Sequence, residues 1–483
     1  MRSKSVKLNF IINMVRVVVN LIFPLVSFPY ISRVLLVEGV GKINFATSIT
    51  NFFLLISSLG IPLYGIREVA KVRDDREKLS KTVSEIFFLN LFAVFFSYLS
   101  LAFCIRFFNI FHSEIKLYML LSLNILFTAL GMEWFYQGVE EYTYITLRSI
   151  FFKVFSIILM FVFVKEKSDY IIWCGITVFA LVGSNILNFL NGRKYFKLKL
   201  RNLDFKTHIK PIFIIFSMNI AINIYTNLDS SMLGILGSIR SVGIYTAAIK
   251  LNKIVMTIAI SLGTVIIPRL SYYLGQNNFE EYYKLANKSI NFIVFFTLPS
   301  IIGLYILAPE IIDVFSGESF AQAVITMRIL LPIIPIIAFT HFIGIQILYP
   351  NNKEKLVMYS VIVGAVVNFT LNYFLIPVFY ENGAAIATLI GESSVLIVQI
   401  ILGRKYLKFK FLSKSNQKFV LSSIVMAVFL SLSKIFLPLN SFLEIVKQVA
   451  LGGSIYVITL LILRENNLLE GINKIKYKFG VDR

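Results

Sequence analysis

Histidines and cysteines are scarce in this sequence of 483 residues. The three histidines, His112, His208 and His341, form no metal-binding pair, and the two cysteines, Cys104 and Cys174, lack disulfide or metal-ligand spacing. Neither an H-E-x-x-H motif nor a P-loop occurs. The sequence therefore predicts no metal site and no catalytic residues, and we expect a protein that is not an enzyme.

Long hydrophilic segments are also absent. Charged residues make up only 15% of the chain, and the longest stretches between apolar runs have about twenty residues. Such stretches are too short for a folded catalytic domain, which argues against a polymerase or ligase. The formal net charge of +21 would suggest nucleic acid as the partner of a soluble chain. Because no hydrophilic domain exists to display a binding surface, we exclude nucleic acid.

Apolar runs of about twenty residues recur along the whole chain. Hydrophobic residues make up 57% of the sequence, and the mean hydropathy of +0.78 is far above that of a soluble protein. A helix needs about 20 residues to cross the hydrocarbon core of a bilayer, whereas the strands of a membrane barrel would alternate polar and apolar residues. We therefore predict an all-α polytopic membrane protein with about fourteen transmembrane helices, at 8–32, 43–66, 83–105, 117–136, 142–164, 170–192, 211–236, 243–270, 287–308, 322–349, 356–378, 383–403, 419–437 and 445–463.

Lysines and arginines are unevenly distributed among the segments that join these spans. Most of the 47 lie in segments on the side of the membrane where the chain begins. Because basic segments favour the cytoplasmic side, we expect the N- and C-termini to be cytoplasmic. The first apolar run follows Arg2, Lys4 and Lys7 as in a signal peptide, but it continues without a cleavage site and is better interpreted as the first span.

One basic octet occurs twice. GRKYFKLK occupies residues 192–199, and GRKYLKFK, identical at six of eight positions, occupies residues 403–410. Each octet follows the last of six predicted spans. Because six is an even number, both sets begin and end on the same side of the membrane, so the two sets form a parallel repeat. Inverted repeats would place the octets on opposite faces of the membrane. We predict three domains: a six-helix bundle at 1–200, a second six-helix bundle at 201–410, and two extra transmembrane helices with a cytoplasmic tail at 411–483.

Cations inside the predicted spans are the first candidates for a binding site. Arg16 lies on a polar face of the first span, and Lys250 and Lys253 lie on a similar face of the eighth. A cation near the middle of a bilayer costs at least about 2.5 kcal/mol. Snorkelling or a structural ion pair would explain why these cations are tolerated inside the spans. A water-filled cationic cavity that attracts an anionic substrate would also explain them. Arg148 and Lys153 in the fifth span are similar but less regularly placed.

Acids inside the predicted spans are rarer still. Asp229 and Glu392 are the clearest examples, and Glu392 is close to the predicted midplane. Each could carry a coupling proton or could serve as the counter-ion of a cavity lysine. Glu133 and His341, near the ends of spans, are weaker candidates, and Arg67 is retained as a ligand candidate at the membrane boundary.

Several short motifs occur in a familiar order. Together they resemble the oligosaccharide repeat-unit flippases of the Wzx type, in the polysaccharide transporter family, and the similarity covers roughly residues 8–403. The sequence departs from the family at Leu36-Val37, where members often have Gly-Pro, and at Ser230, where they often have a basic residue. The motifs are FPYISRVL (28–35), EGVGKINFA (38–46), SLGIPLYGIREVAKVRDD (58–75), SEIFFLN (84–90), NLDSSMLG (227–234), VGIYTAAIKL (242–251) and GAAIATLIGE (383–392).

The resemblance implies a function in the bacterial cytoplasmic membrane. Such a flippase moves undecaprenyl-pyrophosphate-linked oligosaccharides to the outer leaflet for O-antigen or capsule synthesis, by alternating access around a central cavity. It implies membrane lipids and the polysaccharide polymerase machinery as partners, and no cofactor besides a coupling proton or sodium ion. By this resemblance the substrate-binding residues would be Arg16, Arg33, Arg67, Lys250 and Lys253, and the ion-coupling residues Asp229 and Glu392.

Two related functions stay open from the sequence. A multidrug or ion-coupled small-molecule exporter would share the fold, but a cavity for cationic drugs should be rich in acids rather than in lysine and arginine. A lipid II flippase is closer, and only the motifs distinguish it.

Overall fold

The computed structural model describes residues 6–407 and 413–465. The side chains of residues 6–11, 13, 17, 21, 218–226 and 262–265 lie outside that description. The predicted cytoplasmic tail at 466–483 and the end of the second basic octet, with Lys408 and Lys410, lie outside the described residues. Helices make up 87% of the structure, and no strand occurs among the described residues. The predicted all-α fold is confirmed.

The chain forms two compact units, Met1–Gly243 and Ile244–Arg483. The described part of the first unit consists of seven long or medium helices and one short helix, joined by tight connections. Their bounds are α1 Val6–Ser58, α2 Ile61–Val72, α3 Arg76–Phe107, α4 Ile115–Gly131, α5 Glu133–Gly138, α6 Tyr142–Phe163, α7 Tyr170–Gly192 and α8 Lys206–Leu236.

The boundary between the units lies within α9, close to its start. The second unit consists of the rest of α9 and the helices that come after it. A π-helical turn at Phe342–Leu348 continues α13. The bounds of the helices are α9 Ile239–Gly275, α10 Phe279–Ile306, α11 Ala308–Ser316, α12 Ala323–Leu330, α13 Ile333–His341, α14 Glu354–Gly403, α15 Lys414–Phe436 and α16 Ser441–Ile462.

Eleven helical stretches among the described residues are long and apolar enough to cross a membrane. Two of them are too long for a single crossing: α1 has 53 residues and α14 has 50, whereas about 20 residues suffice. Each contains one residue with non-helical backbone angles, Leu36 in α1 and Tyr380 in α14. These breaks fall where the sequence predicts a turn between two spans. With α8, the eleven stretches cover all the predicted spans.

The predicted domains follow the sequence repeat, whereas the compact units follow the packing of the helices. Helix α8 packs against α1 and α2 within the first unit. Its Gly234 lies so close to α1 that an added Cβ would come within 2.0 Å of the Phe45 ring. Repeat boundaries and packing boundaries need not coincide, so the predicted limits at 200/201 and 410/411 stay a prediction.

The segment of residues 193–205, which we call the strap, lies along one face of α3. The backbone N–H of Lys197 donates to Ser80 Oγ at 3.2 Å, and that of Lys199 donates to Ser84 Oγ at 2.8 Å. Ser80 and Ser84 are one helical turn apart and therefore share a face. The strap is thus bound to the first unit through its backbone.

The far end of the strap is held by a buried carboxylate. Glu85, only 4% exposed, accepts a hydrogen bond from the backbone N–H of Asp204 at 2.7 Å. Its other oxygen is 2.9 Å from Nε2 of His208, and Nδ1 of His208 is 2.6 Å from the Tyr64 hydroxyl. With the proton on Nε2, His208 donates to Glu85 and accepts from Tyr64. This cluster joins α2, α3 and the start of α8.

Asp75 caps the N-terminus of α3. Its side chain accepts hydrogen bonds from the backbone N–H groups of Glu77 and Lys78 at 3.0 and 3.1 Å. The Lys78 N–H and then the nearby Lys78 ammonium hold the pKa of the Asp75 carboxyl below its ordinary value. The cap satisfies two donors that the first turn of a helix leaves unpaired.

We expect the stabilising effect of Asp75 to be lost at acid pH. Because the pKa is lower in the folded protein than the value of about 4 in the unfolded chain, the ionised cap stabilises the fold at higher pH. This contribution declines as the pH falls through the lowered pKa. The melting temperatures of wild type and Asp75→Ala should therefore differ most above about pH 5, and the difference should shrink as the pH is lowered from there. A constant difference across that range would contradict this account.

Candidate functional site

A polar pocket of about 310 Å³ lies inside the first unit. Its walls come from α1, α4, α5, α6 and α7, and all but the short α5 helix are long apolar helices. The charged residues among those that line it are Glu133, Arg148 and Lys153, with Ser149, Ser156 and Asn185 beside them. Charged groups in such helices are costly, so their convergence on one cavity marks it as the candidate functional site.

Arg16 and Arg148 both approach the same carboxylate. The Arg16 guanidinium forms an ion pair with Glu133 Oε1, and Arg148 Nη2 lies 3.7 Å from Glu133 Oε2. The amide of Gln137 also donates to Glu133 Oε1, at 3.2 Å. One carboxylate is therefore shared between two guanidinium groups, which carry twice its charge.

Arg148 is almost entirely buried, with 7% of its surface exposed. Its Nη1 donates to the backbone carbonyl of Ser184 on α7 at 2.9 Å. Its Nε is buried and has no hydrogen-bond partner within the described part of the chain. Since arginine is always protonated, this position holds a permanent positive charge in the wall of the pocket.

Lys153 supplies a third cation. Its ammonium donates to the Oδ1 atom of Asn20 on α1 and lies 5.7 Å from the centre of the Phe23 ring. Ser149, Lys153 and Ser156 are spaced by about one helical turn on α6 and therefore share the face that lines the pocket. An ammonium has three donors, so Lys153 can bind a further acceptor beside Asn20.

A tight turn between α4 and α5 sets the position of Glu133. Met132 adopts a left-handed conformation with φ of 40°, and Asn188 on α7 donates its side-chain N–H to the Gly131 carbonyl at 2.8 Å. Gly131 needs to be glycine, because an added Cβ would lie 2.3 Å from Asn185 Oδ1. The close approach of α4 to α7 thus directs Glu133 toward the two arginines.

The charges of the pocket favour an anion. Among the described lining residues, Arg148 and Lys153 are the cations and Glu133 is the one carboxylate, and Arg16 adds a third cation through its ion pair with Glu133. Interactions between charges are stronger in the low dielectric of a membrane protein interior than in water. Guanidinium groups bind phosphate and carboxylate oxygens through paired hydrogen bonds, so the pocket suits a phosphate-containing group.

Two predicted binding residues of the first unit lie apart from this pocket. Arg33 is exposed, and its guanidinium donates to the carbonyl of Pro29 in the preceding turn at 2.8 Å. Arg67 is also exposed; it forms an ion pair with Glu68 at 2.9 Å and lies over the Tyr64 ring. The described residues that line the pocket include neither arginine. Their role as ligands stays a prediction.

Asp229 is a buried residue of α8, and the residues two positions before and after it contact α1. On either side of it, Asn51 donates to Asn227 at 3.0 Å and Ser231 donates to Ser48 at 3.0 Å. Asp229 is 8% exposed. Polar side chains of α1 and α8 therefore contact each other next to Asp229 in the sequence.

The other predicted residues belong to the second unit. Lys250 and Lys253 lie one turn apart on α9, where Lys250 is partly buried and Lys253 is exposed. Glu392 lies in the second half of α14 and is partly buried. Thr257 donates to the carbonyl of Lys253 at 2.7 Å, which is a local helix contact. No described contact assigns these three residues to binding or coupling, so those roles remain proposals.

Glu133, Arg148 and Lys153 are less prominent in the sequence than in the structure. All three are visible as charged residues in or near apolar spans, but the polar face on α6 is shorter than the one around Arg16. Their partners come from α1, α6 and α7, which are distant in sequence. The signal that would have found them is the number of intramembrane charges on α6, since each requires a partner.

No cluster of three or more His, Cys, Asp or Glu residues suited to a metal ion occurs among the described residues. Two further cavities, in the second unit, are lined mainly by apolar residues. Of these three cavities, the pocket around Arg148 is the best suited to bind a charged group.

Two solved structures show the fold class. The structure of "Lipid II flippase MurJ, inward closed conformation" gives a TM-score of 0.75 at 18% identity and covers 94% of this chain and 98% of that chain. An inward-facing multidrug resistance MATE family transporter of the MOP superfamily gives 0.64 at 14% identity, with 81% of this chain and 97% of that chain covered. The protein has the fold of these polytopic membrane transporters.

Sequence comparison identifies the family. The model of the family described as "Polysaccharide biosynthesis protein" matches residues 6–274, and the MatE model matches residues 214–374. The chain therefore belongs to the polysaccharide biosynthesis protein family, which confirms the resemblance drawn from the motifs. A relative from Escherichia coli (strain K12), named "Putative O-antigen transporter", is 24% identical over 397 residues, which are 80% of this chain and 93% of the relative.

Proposed function

We propose that this protein is a flippase for undecaprenyl-pyrophosphate-linked oligosaccharide repeat units. It moves them across the bacterial cytoplasmic membrane, by alternating access, for the synthesis of a surface polysaccharide such as O-antigen or capsule. The family and the name of the Escherichia coli relative support this proposal. The cargo is amphipathic and carries a diphosphate that has to cross an apolar barrier.

The observation that carries the proposal is the cationic pocket of the first unit. Arg148 and Lys153 line it, Arg16 adjoins it through an ion pair with Glu133, and Glu133 is the one carboxylate among the described residues of its lining. A diphosphate in hydrocarbon needs cationic partners, and the pocket would supply them. The oligosaccharide would meet the serine and asparagine side chains of the same walls.

Orientation and energy source are part of the proposal. The excess of basic residues on one side supports cytoplasmic termini. We propose that proton or sodium movement drives the cycle and that Asp229 and Glu392 are the acids involved. Lys250 and Lys253 are proposed as a second set of cargo ligands, and membrane lipids and the polysaccharide polymerase machinery as partners.

Two alternatives follow from the solved structures of similar fold. Lipid II, after which the first of those flippases is named, would need the same kind of cationic pocket, so the choice depends on the sugars. A multidrug exporter, like the second of those transporters, is less favoured because three cations and one acid suit anionic cargo.

Lys153 provides the test of the proposed function. In a strain that lacks the gene, lipid-linked oligosaccharide should accumulate on the inner leaflet, and wild type should restore its export. Lys153→Ala should reduce export by about tenfold, because it removes one cation from the pocket. Lys153→Arg should retain most of the export, because it keeps the charge.

Lys284→Ala is the matched control, since Lys284 is an exposed lysine that pairs with Glu281 on the surface of α10. This variant should export normally. Normal export by Lys153→Ala at wild-type protein levels would contradict the assignment of the pocket. Accumulation of lipid II instead of the oligosaccharide in the deletion strain would favour the alternative cargo.

A further inference from the structure

Glu133 occupies the position in the pocket where an anionic ligand would bind. Both of its oxygens face guanidinium groups, Oε1 that of Arg16 and Oε2 that of Arg148 at 3.7 Å. A carboxylate and a phosphate present oxygen pairs of similar geometry to a guanidinium. The arginines of the pocket are therefore already engaged with an anion that belongs to the protein.

We propose that Glu133 is the internal counter-anion of the pocket, which the diphosphate of the cargo displaces. Entry of the cargo then exchanges one anion for another on Arg16 and Arg148, and release of the cargo returns Glu133 to them. The inference rests on the proposed function, because it names the step by which the same pocket is filled and emptied.

The burial of Arg148 explains why an exchange is needed. With 7% of its surface exposed, this arginine is poorly solvated, and without an anion its charge would be unbalanced in the protein interior. Glu133 balances it when the pocket is empty. The buried Nε of Arg148 has no hydrogen-bond partner among the described residues, so a ligand with more oxygens than a carboxylate would satisfy a donor that Glu133 leaves unpaired.

Lys153 makes the exchange selective for charge. The side chain of Lys153 is bound to Asn20 rather than to Glu133, so its charge is not neutralised by the internal carboxylate. An anion with one negative charge would replace Glu133 with no net gain. A diphosphate carries a second charge that Lys153 can balance. Lys153 thus favours diphosphate-linked over monophosphate-linked lipids, whereas the displacement of Glu133 weakens the binding of both.

Binding of two defined lipids to the purified full-length protein in nanodiscs tests this inference. The probes are two short polyprenyl lipids that carry the same sugar, one linked through a diphosphate with two negative charges and the other through a monophosphate with one. Glu133→Gln should bind the monophosphate at least about tenfold more tightly than wild type does, because the competing carboxylate is gone. The diphosphate should bind more tightly by a similar factor, because both lipids have to displace the same carboxylate, and export in cells should fall because cargo release is slower.

Two further variants make the result interpretable. Glu133→Asp keeps the charge but shortens the side chain, so it should show an intermediate change even if Glu133→Gln folds poorly. Glu114→Gln is the matched control, because Glu114 also pairs with a lysine of the first unit, Lys42 at 2.6 Å, but does not line the pocket. It should bind both lipids as wild type does.

The outcomes separate the two proposals. If wild type prefers the diphosphate and neither Glu133 variant binds the monophosphate more tightly, the counter-anion role is wrong and the proposed function stands. If wild type binds neither lipid, both the diphosphate cargo and the counter-anion role are overturned. Equal tightening by Glu114→Gln would also overturn the specific role of Glu133.

Discussion

Replacement of Arg148 by alanine should reduce the export of lipid-linked oligosaccharide by at least about a hundredfold. The change removes the most buried cation of the pocket, leaves Glu133 with Arg16 alone, and leaves the carbonyl of Ser184 without its donor. The measurement is the amount of cargo on each leaflet of cells in which the variant replaces wild type.

Arg148→Lys separates charge from geometry. A lysine keeps the positive charge, but its ammonium cannot span Glu133 and the Ser184 carbonyl as a planar guanidinium does. We expect about a tenfold loss of export with little change in the melting temperature. Arg193→Ala, which removes an exposed arginine that lies over the Phe189 ring, should export normally. Normal export by Arg148→Ala would show that the cargo does not use the pocket.

Replacement of Glu85 by alanine should lower the free energy of unfolding by about 3 kcal/mol. The buried carboxylate accepts hydrogen bonds from His208 and from the backbone of Asp204, and both donors would lose their acceptor in the protein interior. Thermal unfolding in detergent, with the free energy taken from the shift in melting temperature, measures the effect.

Glu77→Ala is the control for Glu85. Glu77 also pairs with the strap, through Lys199 at 3.0 Å, but its side chain is 85% exposed. An exposed pair contributes at most about 1 kcal/mol, so this variant should melt close to wild type. Glu85→Gln, which retains an acceptor oxygen, should fall between the two. Equal melting temperatures for Glu85→Ala and Glu77→Ala would mean that the strap is not held by the buried cluster.

The fold could be predicted from the sequence to a large extent because the bilayer restricts it strongly. In lipid every backbone polar group has to be satisfied within the chain, so each apolar run of about twenty residues is expected to be a helix. The two turns that the sequence predicts inside α1 and α14 occur as single non-helical residues, Leu36 and Tyr380. The sequence could not show that α8 packs with the first unit, since that depends on contacts between distant helices.

The candidate site could be predicted only in part. Arg16 stands out because its polar neighbours recur at helical spacing, and the structure pairs it with Glu133, which lines the pocket. The partners that explain it, Glu133 and Arg148, lie more than a hundred residues away in the sequence. Spacing along one helix reveals a polar face, but it does not reveal which faces of other helices meet it. The geometry of the pocket therefore required the three-dimensional structure.

The strap lies between the two bundles that the sequence predicts. A segment that only connected two bundles would need no contacts with either of them. Here its backbone is bound to Ser80 and Ser84, and Glu85 holds the residue before α8. The strap is therefore part of the fold of the first unit, and α8 packs with the same unit. Separate expression of the two halves would therefore have to divide the gene after α8, because a cut inside the strap would leave a buried carboxylate exposed.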